Sequence, residues 1–368
     1  MSDCMKKYTI NMKSHADMVE GHGVLSAYKE QVRLVKEGLS KQFTVTENHK
    51  GGGDITHYHT VNFGYFLTLP LAKMRGKTVG YVHFLPETIE DSLKLSPIAK
   101  KVFYQYLITF YKSMDRLVTV NPIFIDKLAA YGIPKEKISY IPNYVSEKEF
   151  YPLSQQRKKE LRQEWGLCPD KFTVICTGQL QTRKGVLDFA QIANRLPEMQ
   201  FLWAGGFSFG KMTDGYEEIS RLLKSPPPNL VFPGMVPREK MNEIYNIGDV
   251  MFLPSYGELF PMTILEAMSC NTPILLRDID VYPKILMDFY LKASDNQGFE
   301  NCLRRMKDDP DYYKAAKEAA HRGHMFYNAS HVLSMWEEFY TCLIQETRHS
   351  EKSLPAHCKA VREKGISA

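Results

Sequence analysis

Short apolar runs alternate along the chain with longer segments in which apolar residues recur every three or four positions. The runs predict buried strands, and the periodic segments predict helices with one buried face. In the first part, strands are expected at residues 7–12, 42–46, 78–84, 115–122 and 137–143. Helical spacing links Leu25, Tyr28, Val32, Leu34 and Val35, then runs from Pro97 with an apolar face of Val102, Phe103, Tyr106, Leu107, Phe110, Tyr111 and Met114, and covers 123–131. The second part alternates more plainly. Strands are expected at 172–178, 200–206, 230–236, 249–254 and 273–278, and helices at 238–245, 298–306 and 311–321. Another helix is expected to start at Pro261 and bury Ile264, Leu265 and Met268. This order implies α/β architecture with parallel, doubly wound sheets. An amphipathic helix is expected at 330–346, and residues 347–368, polar and without pattern, as a loose tail.

A chain of 368 residues accommodates two domains of common size. The expected boundaries are 1–150 and 151–329, with the charged stretch 155–164 beginning the passage from one to the other. No apolar run reaches the length of a membrane span, and the first residues do not read as a secretory signal. Seven scattered cysteines without Cys-x-x-Cys spacing predict neither a disulfide framework nor a zinc site, which suits a reducing cytoplasm.

Charge changes the picture through its placement. Residues 1–150 hold 20 Lys/Arg against 15 Asp/Glu, whereas 151–368 hold 27 of each. The excess of five positive charges therefore belongs to the first part, which fits either an anionic surface partner or unpatterned solvated lysines. Between Leu93 and Met114 there is no acid and there are four lysines, Lys94, Lys100, Lys101 and Lys112, among aromatics. Two readings stand side by side, a helix lying in a bilayer interface and a core-packed helix with a solvated basic edge.

Candidate chemistry concentrates in the loops after strands. Gly21 and Gly23 lie between the first strand and helix, where glycine lets a backbone approach a ligand or simply turns tightly. His57 and His59, two apart on a strand, share a face and are favoured as polar residues at a strand end over metal ligands. His83 ends a strand, where parallel sheets place their ligand crevice, with a capped or core histidine as the rival reading. Arg183 and Lys184 precede Gly185 at a helix start and suit phosphate. The run 249–254, the turn Ser255-Tyr256-Gly257 and Pro261 make strand, tight loop and helix, with amides near Met262 and Thr263 at the positive helix end. Glu258 and Glu266 bracket that loop, eight positions apart, suited to two hydroxyl-rich parts of one ligand. Asp278-Ile-Asp280 imitates a metal-binding pair but is taken as a loop cap.

The segment Gly257-Glu-Leu-Phe-Pro-Met-Thr-Ile-Leu-Glu-Ala-Met268 resembles the signature of the retaining glycosyltransferases of family four, which have the GT-B fold. The resemblance covers the second part well and the first by landmarks. It implies two Rossmann-like domains facing across a cleft, the final helix crossing back to the first. By the same resemblance Glu266 holds the nucleotide ribose and Glu258 touches the donor sugar. Lys184 and the amides near Met262 and Thr263 then face the diphosphate, and His83 and the Gly21–Gly23 loop border the donor. The family usually has Gly-Arg where this chain has Gly178-Gln179, so Arg183 is the candidate substitute.

A retaining transfer of a glucosyl or galactosyl unit from a UDP-sugar follows from that resemblance, with no metal or other cofactor. Gly-His-Gly-Val24, Ala-Tyr-Lys-Glu30 and the loop from Gly178 to Gly185 resemble bacterial enzymes that extend glycosyl-diacylglycerols for lipoteichoic acid anchors. The expected acceptor is accordingly a monoglycosyl-diacylglycerol, reached by a peripheral enzyme on the inner face of the cell membrane. A cytoplasmic glycosyltransferase of capsular or wall polysaccharide and a non-catalytic sugar-nucleotide binder are the alternatives. A nucleic-acid binder is disfavoured, since no motif supports it.

Overall fold

Fully buried, β-branched and aliphatic runs become the strands of two six-stranded sheets in which every pairing is parallel. The computed structural model describes residues 7–15, 23–88, 96–207, 210, 213–258 and 260–348. It divides into one unit of Met1–Asn143 with Ser330–Ala368 and another of Tyr144–Ala329.

The first unit contains β1 (Tyr8–Lys13), α1 (Gly23–Gly38), β2 (Phe43–Glu47), β3 (Ile55–Tyr58), α2 (Phe63–Arg75) and β4 (Lys77–Val82). Then follow α3 (Pro97–Lys112), β5 (Arg116–Thr119), α4 (Ile123–Ala130) and β6 (Ile138–Tyr140). The sheet order is β2-β1-β3-β4-β5-β6, so the strand order reverses between β1 and β3. Helix α3 starts where Ser96 caps the amide of Ala99 and Pro97 occupies the first turn. Its Leu107, Phe110 and Tyr111 are buried, as is Met114 just beyond it. Of the face that one reading sends into a bilayer, Phe110 and Tyr111 therefore pack inward, whereas Phe103 and Tyr106 are half-buried and Val102, expected on the apolar face, is exposed. Helix α2 was not foreseen. It buries Tyr65, Leu69 and Ala72 while exposing apolar residues opposite, so it carries no simple period, and Pro70 within it argues against a helix.

The second unit contains α5 (Gln155–Glu164), β7 (Thr173–Thr177), α6 (Val186–Arg195), β8 (Gln200–Ala204), α7 (Tyr216–Lys224) and β9 (Leu230–Gly234). It continues through α8 (Met241–Ile247), β10 (Val250–Leu253), α9 (Met262–Ser269), β11 (Ile274–Arg277) and α10 (Tyr282–Leu286). Last come β12 (Leu291–Ala293), α11 (Asn296–Asp308) and α12 (Pro310–Tyr327). The order β12-β11-β10-β7-β8-β9 is the dinucleotide-fold order, with its reversal between β7 and β10. Pro261 occupies the cap position just outside α9, so the helix starts one residue later than expected.

The final helix, α13 (Ala329–Arg348), completes the first unit's core. Its Val332, Trp336, Phe339 and Tyr340 are buried, and Arg116 pairs with Glu346 at 2.5 Å. Gly38 lies so close to Leu333 that a β-carbon there would collide with it. Cys168, Cys176, Cys270 and Cys302 carry free thiols, whereas Cys342 is disulfide-bonded.

Candidate active site

In the second unit, the loops leaving β7 and β10 meet at the point where the strand order reverses. Gly185 makes that approach possible. It has φ 75°, and a β-carbon would lie 2.5 Å from the carbonyl oxygen of Pro254. The Tyr256 amide donates to the Arg183 carbonyl at 2.9 Å, and the Ser255 hydroxyl to the same oxygen at 3.2 Å. Arg277, buried at the end of β11, fixes the second loop from below. It donates to the Pro254 carbonyl at 2.9 Å, pairs with Asp188 at 3.1 Å and stacks 3.9 Å from the Tyr256 ring centre.

On this frame Lys184 Nζ lies 2.6 Å from Glu258 Oε1, both side chains largely buried. Arg183 is more exposed and donates to the Gly257 carbonyl, with its guanidinium 3.9 Å from Glu258. Gln179 is exposed and receives a hydrogen bond from Gln181 at 2.7 Å. The sequence-predicted residues Lys184, Arg183 and Glu258 are thus brought together. Met262 and Thr263 open α9, whose N-terminal end carries the partial positive charge of the helix.

Glu266 is buried in α9, and its partners escaped the sequence reading. The Tyr245 hydroxyl donates to Glu266 Oε2 at 2.5 Å, and Arg238 forms an ion pair with Oε1. Tyr245 also lies 3.1 Å from the hydroxyl of Thr177, at the end of β7. Burial, and then the Glu266 charge, push the Tyr245 phenol well above its ordinary pKa, so it remains a donor. Arg238 reaches Glu149 at 3.2 Å and sits 4.7 Å from the Phe150 ring centre. Only one signal pointed here, a pattern over 238–245 that predicted a helix without naming its polar residues. Asp278 pairs with Lys292 at 3.0 Å, and the described residues contain no group of three His, Cys, Asp or Glu able to hold a metal.

The first unit holds His83 in different surroundings. His83 follows β4, its ring 4.3 Å from that of Tyr81. His57 and His59 sit with ring centres 4.3 Å apart, and Tyr81 stacks on both at 5.7 and 5.2 Å. His57 Nδ1 is 2.9 Å from the Tyr340 hydroxyl, and His59 Nε2 is 3.4 Å from Met12 Sδ. The other nitrogens, His57 Nε2 and His59 Nδ1, have no partner among the described residues, and neither has His83 Nε2. Burial drives the pKa of His57 down to about 3, that of His83 to about 4 and that of His59 well below the ordinary value. His57 and His59 lie at the end of β3, where the sequence places them. His57 and His59 are fully buried among aromatic rings and His83 is partly buried beside Tyr81, and desolvation keeps all three neutral near pH 7.

Lys101 and Lys112 are exposed on α3 and Lys100 is half-buried. Gly23 begins α1, while Gly21 and Lys94 lie outside the described residues.

Residues 157–323 match the family model described as glycosyl transferases group 1, and residues 45–149 match glycosyltransferase family 4. Over 335 residues the chain is 45% identical to alpha-galactosylglucosyldiacylglycerol synthase of Streptococcus pneumoniae, covering 91% of this chain and 90% of that one. It is 24% identical over 291 residues to the processive diacylglycerol alpha-glucosyltransferase of Acholeplasma laidlawii, covering 78% of this chain and 85% of that one. Among solved structures, HepE of Anabaena in complex with UDP superposes with TM-score 0.70 at 14% identity, covering 91% of this chain and 100% of that one. Sucrose-phosphate synthase of Thermosynechococcus elongatus gives 0.69 at 16% identity, covering 92% and 100%. The chain therefore belongs to the group 1, family four glycosyltransferases, enzymes built on the GT-B pair of Rossmann-like domains.

Proposed function

We propose that this enzyme moves a glucosyl or galactosyl unit, with retention of configuration, from a UDP-sugar to a monoglycosyl-diacylglycerol, producing a diglycosyl-diacylglycerol. The observation that carries this reading is the 45% identity, over 91% of the chain, to a synthase whose name specifies such a lipid. In the reaction the bond from the sugar's anomeric carbon to the diphosphate breaks. The acceptor oxygen bonds to that carbon on the same face, and its proton passes to the leaving phosphate oxygen.

Each residue's role follows from the charge the reaction develops. Lys184, Arg183 and the N-terminal amides of α9 at Met262 and Thr263 stabilise the departing diphosphate. Glu266, oriented by Tyr245 and Arg238, accepts the ribose hydroxyls. Glu258 is held by Lys184 until donor binds, then turns to the sugar. His83, neutral in its aromatic setting, donates or accepts a hydrogen bond at the sugar without adding charge. Gly23, at the start of α1, is assigned to the donor side. No metal is assigned a role, so a chelator is expected to leave the rate nearly unchanged. The enzyme works as a peripheral protein on the cytoplasmic face of the membrane, with Lys100, Lys101 and Lys112 toward anionic head groups.

Mass spectrometry of products from incubations of UDP-glucose or UDP-galactose with monoglycosyl-diacylglycerol, with soluble oligosaccharides and with no acceptor tests the reading. A lipid product one hexose heavier is expected. Transfer to soluble acceptors alone would overturn it in favour of polysaccharide synthesis, and donor binding without any product in favour of a sugar-nucleotide binder.

A further inference from the structure

Six of the ten large apolar side chains exposed among the described residues lie on two helices of the first unit. They are Phe63, Leu67, Leu71 and Met74 on α2, and Ile98 and Val102 on α3, between 63% and 83% exposed. The α2 residues recur at i, i+4, i+8 and i+11, so they form one stripe along the helix. The α3 pair lies one turn apart and is continued one turn on by Tyr106. The Tyr106 ring lies 6.1 Å from that of Phe63 and 5.7 Å from that of Phe66, joining the two helices. An apolar face of this extent on a folded unit marks an interaction surface.

We propose that α2 and α3 together form the surface by which this enzyme docks on an anionic lipid bilayer, with the α2 stripe entering the acyl boundary. The inference deepens the membrane part of the proposed function and moves the apolar anchor from the α3 aromatics to α2. Charge selects the occupant. Neither helix contains an acidic residue, while α2 carries Lys73 and Arg75 and α3 carries Lys100, Lys101 and Lys112. Asp115 is paired with Lys73 at 3.8 Å, and Glu87 with Lys127 at 3.7 Å, so these nearby acids do not offset Lys101 or Lys112. Lys101 and Lys112 border a groove of about 580 Å³ with Tyr104, Tyr131 and Pro86, large enough for a head group. A second copy is a poor fit, because two-fold pairing of this face sets cations against cations. An apolar stripe beside a cationic edge is the arrangement of helices that lie flat in a bilayer interface.

The test is co-sedimentation with vesicles of phosphatidylcholine, with and without phosphatidylglycerol, using the whole chain. Wild type is expected to bind the anionic vesicles. Changing Leu67, Leu71 and Met74 together to Gln is expected to weaken partitioning on the order of a hundredfold. Because these positions are solvent-exposed, the melting temperature and UDP binding of that variant should match wild type. Lys101→Gln with Lys112→Gln should weaken binding on the order of tenfold at low salt and little at high salt. Emission from Leu71→Trp should shift to the blue on anionic vesicles, where it leaves water. Wild-type partitioning by the triple variant, an unshifted Leu71→Trp emission or a dimer that the triple variant abolishes would each overturn the proposal. A short-chain, soluble monoglycosyl acceptor separates its failure from that of the proposed reaction. Transfer to that acceptor without vesicle binding would sink the surface alone, and vesicle binding without transfer to any lipid would sink the reaction alone.

Discussion

The two units apply one topological rule to opposite chemistries. In the second, the reversal between β7 and β10 is lined by charges already paired, Lys184 with Glu258 and Arg238 with Glu266. In the first, the reversal between β1 and β3 lies beside imidazoles stripped of charge, three of whose nitrogens have no partner among the described residues. The Glu258 and Glu266 side chains are each buried, so each cation offsets a charge that would be costly to leave alone. Burial lowers the pKa of the imidazoles, so near neutral pH they carry no charge. Under the proposed function the paired charges of the second unit meet the nucleotide diphosphate, and the neutral imidazoles of the first meet only uncharged hydroxyls.

The sharpest way to break this contrast is to remove the cation. Lys184→Ala is expected to lower kcat by about 10²–10³-fold, the effect of deleting one group that stabilises a developing anion. It also leaves the buried Glu258 without its main partner, so some stability is lost. Replacing both, Lys184→Met with Glu258→Gln, should restore the melting temperature but not the rate. A double variant that regains turnover would show the pair to be structural only.

Glu266→Ala comes next. It should weaken UDP binding roughly ten- to hundredfold, since hydrogen bonds to a charged group contribute about 1.5–3 kcal/mol. Tyr245→Phe should do the same less strongly, by losing the orientation of Glu266. Titration calorimetry with UDP and its 2′-deoxy analogue distinguishes orientation from general loosening. If Tyr245→Phe weakens both equally, Tyr245 does not act through the ribose.

A third test uses acid. Folded His57 and His83 have pKa values depressed to about 3 and about 4, from an unfolded value of 6.5. The unfolded chain therefore binds protons first as pH falls. The stability these groups allow is full above about pH 6.5 and is lost progressively toward pH 4, by up to about 1.4 kcal/mol per pH unit for each imidazole. Trp336 reports the first unit, and Trp165 and Trp203 the second, in urea unfolding between pH 5.5 and 7.5 (single-tryptophan variants separate them). His324, half-buried in the second unit and also depressed, adds a smaller change of the same sign there. Equal slopes for the two units would erase the contrast.

The smallest effect is expected at Arg183. Its guanidinium already serves the Gly257 carbonyl, so Arg183→Ala should cost only a few-fold in rate through the loop. Gln179→Arg in that background should recover the loss if the two positions share the diphosphate. No recovery would confine Arg183 to loop structure.

The chain's pattern disclosed whatever is local. Buried parallel strands such as Val250–Leu253 read as unbroken apolar runs, and the loop and helix after them carry Glu258 and Glu266 in a recognisable order. What stayed hidden is what the fold brings from a distance. Tyr340 meets His57 across 283 positions, Arg238 meets Glu266 across 28, and Lys184 meets Glu258 across 74. Spacing gives no sign of such pairs. Helix α2 escaped for another reason, since an apolar outer face erases the amphipathic signal by which a surface helix is found.

The placement of α13 has a consequence for the order of synthesis. The ribosome delivers the first unit's sheet early, but Trp336 and Tyr340, which close its core, emerge only after Tyr144–Ala329 has been made. At roughly 5–20 residues per second, this interval is on the order of ten to forty seconds. The second unit is therefore expected to begin folding on the nascent chain before the first unit's core can close. A chain stopped before Ser330 is expected to resist limited proteolysis in the second unit and to be cut throughout the first.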